Sequence, residues 1–356
     1  MRDFVDPAGI EVIAPNFKRR HSGVTSTVLR LLPIQARTIR IAAAGPRLPA
    51  DIPRIRLRDL LTMSRSGPGG SGTPRIWHAR RNTEMLGGLL LRTLLRKRLR
   101  LLFTSAAQRR HSRYTRWLIR QMDAVVATSS RSGAFLEVPH RVILHGVDTD
   151  LFSPAPDRAA LRREMGLDPG AFLIGCFGRL RPQKGTDLLT EALIAVLPAR
   201  PDVQALFMGG VTPDQAAFVE GLKARVRAAG LKDRIRFLPE DRGWDIARWY
   251  RVLDLYVTAP RVEGFGLTPL EAMACGVPVI ASRAGAFEDI IADGRTGRLI
   301  PAGDGPALAE ALAEALDDRD MLARWAAAAR PHVLAHHRIE AEAEALNALY
   351  RDLIGR

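Results

Sequence analysis

The sequence predicts an α/β protein made of two successive doubly wound domains, each a parallel sheet covered by helices on both faces. Three observations predict it. Short β-branched or apolar runs alternate with longer helical stretches, six such runs fall in each half, and a proline-marked stretch separates the halves. Strands alternating with helices give right-handed βαβ units and parallel sheets, and two sets of six make two domains rather than one.

The strand runs of the first half are residues 10–14, 38–43, 75–77, 99–104, 124–127 and 142–144. Those of the second half are 172–177, 203–208, 235–238, 255–258, 277–281 and 297–300. Residues 147–169, with Pro154, Pro156 and Pro169, read as the linker. The expected division is 1–155 and 156–335, followed by a final Ala- and Glu-rich helix over 336–356 that packs back on the first domain. Ligands of open parallel sheets bind beyond the carboxyl ends of the strands, so motifs just after strands are the ones to weigh.

Composition narrows the classes. The chain has 356 residues, 47% of them hydrophobic, and no apolar run reaches the roughly 20 residues needed to span a bilayer. Residues 1–16 carry Asp3, Asp6, Pro7 and Glu11 where an exported leader has a basic start and an apolar stretch, so a cytoplasmic protein is expected. Cys176 and Cys275 lack metal-ligand spacing and read as buried free thiols. Charge is one-sided: residues 1–166 hold 30 Lys and Arg against 12 Asp and Glu, a net of +18, whereas residues 167–356 hold 23 against 26, a net of −3. A one-sided excess points to an anionic partner, a lipid surface or a nucleic acid. The arginine-rich stretch 92–120 interleaves leucines and few aromatics, which serves base stacking poorly.

Two motifs carry chemistry. Glu263-Gly-Phe-Gly-Leu-Thr-Pro-Leu-Glu271 directly follows a strand. Its glycines let backbone amides approach a ligand, Pro269 suits a first helical turn, and the two carboxylates accept hydrogen bonds from sugar or ribose hydroxyls. Acids that merely complement a helix dipole are the plainer alternative. Gly178-Arg179-Leu-Arg-Pro-Gln-Lys184-Gly185-Thr186 also follows a strand, and a glycine turn with cations before a helix suits a diphosphate. Its spacing is not that of a Walker loop. The Gly67–Gly72 run lacks a following Lys-Ser/Thr and reads as a mobile loop or lid, and Asp148-Thr-Asp150 falls in the linker, so no metal site is expected.

These motifs resemble the signature of glycosyltransferase family 4. Its E-x-F-G-x-x-x-x-E and G-R-x-x-x-x-K-G elements are both intact, and Ser22-Gly23-Val24-Thr25, His145-Gly-Val-Asp148 and the run from Glu271 to Val279 agree. The resemblance covers nearly the whole chain and implies the GT-B fold, two Rossmann-like domains facing across a cleft. It implies a retaining, metal-independent transfer from a nucleotide sugar, the leaving phosphate assisting acceptor deprotonation. Carried onto this sequence, Arg179 and Lys184 hold the donor diphosphate, Glu271 takes the ribose, and Glu263 takes the transferred sugar with the amides of Phe265 and Gly266. Gly264 and Leu267 complete that turn, Gly23 leaves room for the diphosphate, the base lies near Leu238 and Glu240, and His78 stands beside the anomeric centre.

More narrowly, residues 76–82 and 103–111 resemble lipopolysaccharide core mannosyltransferases of alphaproteobacterial type. That implies GDP-mannose as donor, with a UDP-hexose as runner-up, and no cofactor. It also implies an anionic lipid-linked acceptor met by Arg80 and Arg81, at the inner face of the cytoplasmic membrane. The basic residues there, with Leu89, Leu90, Leu94 and Leu95, suit an anionic surface, charge contributing most. Other readings are a GT-B epimerase, a glucosyltransferase with a soluble acceptor and, from charge alone, a nucleic-acid-binding protein.

Overall fold

The computed structural model describes residues 4–18, 23–46, 48–239 and 245–355. Two compact units divide the chain: one joins residues 1–144 to 339–356, the other is 145–338.

The first unit has strands β1 (Val12–Pro15), β2 (Ile41–Ala44), β3 (Arg54–Ile55), β4 (Arg75–Ala79), β5 (Leu99–Ser105), β6 (Ala124–Ala127) and β7 (Arg141–Val142). All pair in parallel, in the order β3-β2-β1-β4-β5-β6-β7. The second unit has β8 (Phe172–Phe177), β9 (Val203–Met208), β10 (Ile235–Leu238), β11 (Leu255–Thr258), β12 (Val279–Ser282) and β13 (Gly297–Ile300). These are parallel too, in the order β10-β9-β8-β11-β12-β13. Central strands such as β9 and β11 are apolar on both faces because helices cover both, as parallel sheets require. The second core gathers Leu193, Phe207, Val257 and Leu312, and the first unit splits into two cores on either side of its sheet.

Several boundaries move. The strand expected at 38–43 begins at Ile41, because the N–H groups of Thr38 and Ile39 still turn back to the Gln35 carbonyl at 3.0 Å. The one expected at 277–281 begins at Val279, since Val277 N–H closes the preceding helix on Ala272 O at 3.1 Å. The short β3 had no counterpart in the reading of the sequence: two residues hold no alternation to see.

The stretch expected as a linker belongs to the second unit. Phe152 is fully buried with its ring 5.8 Å from Tyr250, and Arg330 donates to the carbonyls of Phe152 at 3.0 Å and Thr149 at 3.1 Å. Arg162, on helix Arg158–Glu164, is buried and pairs with Asp254 at 2.6 Å. The units therefore part at Leu144 and Arg338 rather than at 155 and 335. The last helix, Ile339–Gly355, is part of the first unit: Gln35 Nε2 donates to Asn347 Oδ1 at 3.0 Å within its buried seam, and Asn347 Nδ2 donates to Thr38 Oγ1 at 2.8 Å at the edge of that seam.

Candidate active site

In the second unit β8 and β11 are neighbours, so the strand order reverses between them. Ligands of doubly wound sheets bind in the crevice at such a switch point, beyond the carboxyl ends. The loop after β8, residues 178–185, and the loop after β11, residues 259–267, leave from that point and hold the two motifs.

A glycine lets the loops meet. Gly185 has φ +67°, and a Cβ there would stand 1.9 Å from the Ala259 carbonyl oxygen. Only glycine allows that approach in that conformation. Arg261 then fastens the loops, donating to both carboxylate oxygens of Asp187 at 2.8 Å and to Pro182 O at 2.6 Å. Burial works to raise the Asp187 carboxyl, but the hydrogen bonds and charge of Arg261 outweigh it and hold it below the ordinary carboxylate range.

Lys184 and Glu263, one from each motif, are an ion pair: Lys184 Nζ donates to Glu263 Oε2, and Glu263 Oε1 accepts the Gly264 N–H at 3.0 Å. Arg179 and Gly178 are exposed beside them. Arg181 lies between these charges with its Nε buried and without a partner among the described residues. Burial first, then the charge of Arg179, pushes its guanidinium down, while Glu263 acts the other way. Three cations and one carboxylate thus share the mouth of the switch point, a charge balance that suits a multiply charged anion.

The other carboxylate is built inward. Glu271 sits in the first turn of helix Thr268–Ala274 and is 6% exposed. Its Oε2 accepts a 2.9 Å hydrogen bond from the hydroxyl of Tyr250, itself fully buried. Burial, then the charge of Glu271, keeps that phenol well above its ordinary pKa, so it stays a donor. Between the carboxylates, Phe265 is buried, meets the edge of His145 at 4.8 Å, and accepts the Ala286 N–H on its carbonyl at 3.0 Å. Gly266 has φ +87°, and a Cβ there would come within 2.3 Å of the Phe287 ring. Leu267 leads into the helix, and Leu238, half-buried, ends the edge strand β10. Glu240 and Ser22 lie outside the described residues, and Gly23 opens helix Gly23–Gln35.

Residues 157–332 match the family model described as glycosyl transferases group 1. The lipopolysaccharide core biosynthesis mannosyltransferase LpcC of Rhizobium leguminosarum bv. viciae is 53% identical over 98% of both chains. The corresponding LpsB protein of Rhizobium meliloti (strain 1021) is 50% identical over 98% of this chain and 99% of its own. The chain belongs to the group 1 glycosyl transferases. It is a glycosyltransferase, as the motifs of the second unit imply. A crystal structure of HepE from Anabaena, in complex with UDP and glucose, superimposes with a TM-score of 0.81 at 20% identity over 97% of this chain and all of that one. That likeness shows the GT-B fold. The C-terminal domain of a group 1 family protein (LpcC) from Francisella tularensis is 37% identical, with a TM-score of 0.52, over 55% of this chain and all of that one.

In the enzyme's first unit the switch point lies between β1 and β4. His78, on β4, is not at an open surface. It is fully buried, with Nδ1 2.7 Å from the Tyr350 hydroxyl and Nε2 2.6 Å from Thr104 Oγ1. The apolar neighbours that make β4 a strand carry His78 into the seam beneath the last helix, where it bridges that helix to β5. Arg81 is also engaged, donating to the buried Glu84 at 2.6 Å, to Asn16 Oδ1 at 2.8 Å and to Thr25 Oγ1 at 3.0 Å. Arg80 is half-buried, its backbone N–H on Glu84 Oε2 at 2.8 Å. Both arginines thus serve a buried carboxylate in this structure, which the acceptor role expected of them did not include.

Other sequence candidates find structural roles. Asp148 Oδ1 accepts the N–H groups of Asp150 at 3.1 Å and Leu151 at 2.9 Å, the pattern of a turn cap. The Gly67–Gly72 run closes on itself through Gly67 N–H to Thr73 O at 2.7 Å, and it precedes the amino end of β4, the end opposite to the one a lid would cover. Burial pushes the Cys176 and Cys275 thiols up to about 12. The reading of the sequence missed Arg181 and Tyr250. Arg181 stood inside the phosphate motif, but Tyr250 carries no motif, and only the fold brings it to Glu271.

Proposed function

We propose that this enzyme transfers mannose, with retention and without a metal, from GDP-mannose to a lipid-linked lipopolysaccharide core acceptor at the inner face of the cytoplasmic membrane. The observation that carries it is the pairing of the donor loops, with Lys184, Glu263 and Glu271 in place, with a likeness over nearly the full chain to two lipopolysaccharide core mannosyltransferases. Arg179, Arg181 and Lys184 hold the diphosphate and stabilise the charge that develops on the departing nucleotide, the electrostatic catalysis that removes the need for a metal ion. Lys184 leaves Glu263 for the phosphate, freeing Glu263 for a hydroxyl of the transferred sugar. Glu271, held by Tyr250, takes the ribose hydroxyls, and the base lies near Leu238 and Glu240. The departing phosphate accepts the acceptor's proton, since no enzymic nucleophile adjoins Glu263 among the described residues. The positive first unit faces the anionic acceptor and the leaflet that carries it.

Thermal melting with nucleotides tests the donor. Stabilisation by GDP and GDP-mannose supports the reading, and stabilisation by UDP but not GDP moves the donor to a UDP-hexose. Transfer in excess chelator tests the metal-free step. Loss that Mn²⁺ or Mg²⁺ restores overturns it.

A further inference from the structure

On the first unit, two segments distant in sequence build an apolar groove of about 420 Å³, floored by Trp77 and walled by Leu57, Leu61, Leu90, Leu94 and Leu95. The volume is that of a small-molecule cleft, yet such clefts carry a few polar groups to orient their ligand, and every residue that lines this one is apolar. Leu60 and Leu91 in its lining belong to the core, but its outer leucines do not: Leu57 is 44% exposed, Leu61 61%, Leu90 44% and Leu94 73%. Clustered exposed leucines on a soluble surface mark a surface of interaction.

The chain around the groove is cationic. Residues 56–65 and 90–98 contain Arg56, Arg58, Arg65, Arg92, Arg96, Lys97 and Arg98 against a single acid, Asp59. Of these, Lys97 is buried with its ammonium on the Met63 carbonyl and Arg92 pairs with Asp123 at 2.9 Å, which leaves the exposed arginines for an outside anion. Arg96 is the telling member. Helix Asn82–Thr93 ends in a turn closed by Lys97 N–H on Leu91 O at 3.1 Å, and Arg96 occupies the left-handed position of that turn, φ +51°. Glycine is the usual residue there, since a side chain is strained. No other described non-glycine residue has a positive φ. A cation suits the carbonyl end of a helix, and Arg96 is exposed next to Leu95 of the groove wall.

We propose that this groove binds the acyl chain of an anionic membrane lipid, the leucines taking the hydrocarbon and Arg96, Arg58 and their neighbours the headgroup phosphate. Complementarity selects this occupant: an apolar trough rimmed by cations fits a negatively charged amphiphile. The inference deepens the membrane part of the proposed function and shifts the weight of docking from diffuse charge to one structured site. It involves none of the donor residues, so a lipid-binding assay without sugar or nucleotide keeps its failure distinct from failure of the transfer reading.

The test uses the full chain in two arms: sedimentation with phosphatidylcholine vesicles, with and without phosphatidylglycerol, and thermal melting with monomeric short-chain phosphatidylglycerol. Binding to anionic vesicles and stabilisation by the monomeric lipid are expected. Leu61→Ser with Leu94→Ser, both at exposed positions, lowers vesicle binding by on the order of tenfold per leucine and abolishes the stabilisation. Arg96→Gly relieves the turn, so the protein melts no lower, yet vesicle binding falls by about fivefold. Two results overturn the proposal: anionic-vesicle binding that the leucine variants leave unchanged, which is adsorption by charge alone, or no binding to anionic vesicles by the intact protein.

Discussion

Tyr250→Phe isolates the device that aims the inner carboxylate. The ring stays where it is, because its neighbours Phe177 at 5.0 Å, Tyr256 at 5.4 Å and Phe152 at 5.8 Å are contacts that phenylalanine keeps. Only the hydroxyl is lost, and with it the 2.9 Å bond to Glu271. A hydrogen bond to a charged group is worth about 1.5–3 kcal/mol, and each 1.4 kcal/mol is about tenfold in affinity. Donor-nucleotide binding should therefore weaken by about ten- to a hundredfold, read by calorimetry as Kd and in turnover as a rise in donor KM greater than the fall in kcat. The acceptor KM should not move. Unchanged nucleotide affinity in a normally folded Tyr250→Phe protein would refute the idea that Tyr250 positions Glu271 for the donor.

Other outcomes follow from the same structure. Lys184→Ala and Glu271→Ala should each lower transfer by orders of magnitude while the circular dichroism spectrum stays native, and near-normal turnover in either removes the donor site from these loops. His78→Phe takes its partner from the Thr104 hydroxyl and one of the partners from Tyr350, which still accepts from Gln35 Nε2 at 3.3 Å, and an unmet buried group costs about 1–3 kcal/mol. The variant should melt lower, and an unchanged melting temperature contradicts the buried bridge. His337 is buried with both ring nitrogens unpartnered among the described residues, and burial, then the neighbouring His332 and His336, pushes its pKa from 6.5 down to about 4. The unfolded chain therefore binds the extra proton between those values. Stability from this group is complete above pH 6.5 and falls as pH drops toward 4, by roughly 3 kcal/mol at most. Denaturant titrations across that range check it, and a His337→Phe variant with the same pH slope would contradict it.

The architecture was legible because parallel sheets bury both faces of their strands, so β8, β9 and β11 are short apolar runs between helical stretches. The donor loops were legible because their chemistry needs glycines, cations and carboxylates at fixed spacing, and Lys184 and Glu263 prove to be in contact across 79 residues of sequence. What escaped depends on the third dimension. Pro154 and Pro156 read as a linker, because proline marks turns whether or not their surroundings are packed; Phe152 and Arg162 tie the stretch down through residues far along the chain. His78 has the residue type of a catalytic group, but its solvent access is set by Tyr350 on a helix 272 residues later. Tyr250 is one apolar-looking position in a short helix until the fold sets it under Glu271.

The most direct measurement is transfer itself: purified enzyme, an isolated lipid-linked core acceptor lacking its mannose, and radiolabelled GDP-mannose or UDP-hexoses, with chelator present throughout. Mannose should enter the acceptor from GDP-mannose alone, with α-configuration kept, and Glu271→Ala should abolish it. Incorporation from a UDP-hexose with none from GDP-mannose, or equal incorporation by the Glu271→Ala protein, would contradict the assignment of donor and site.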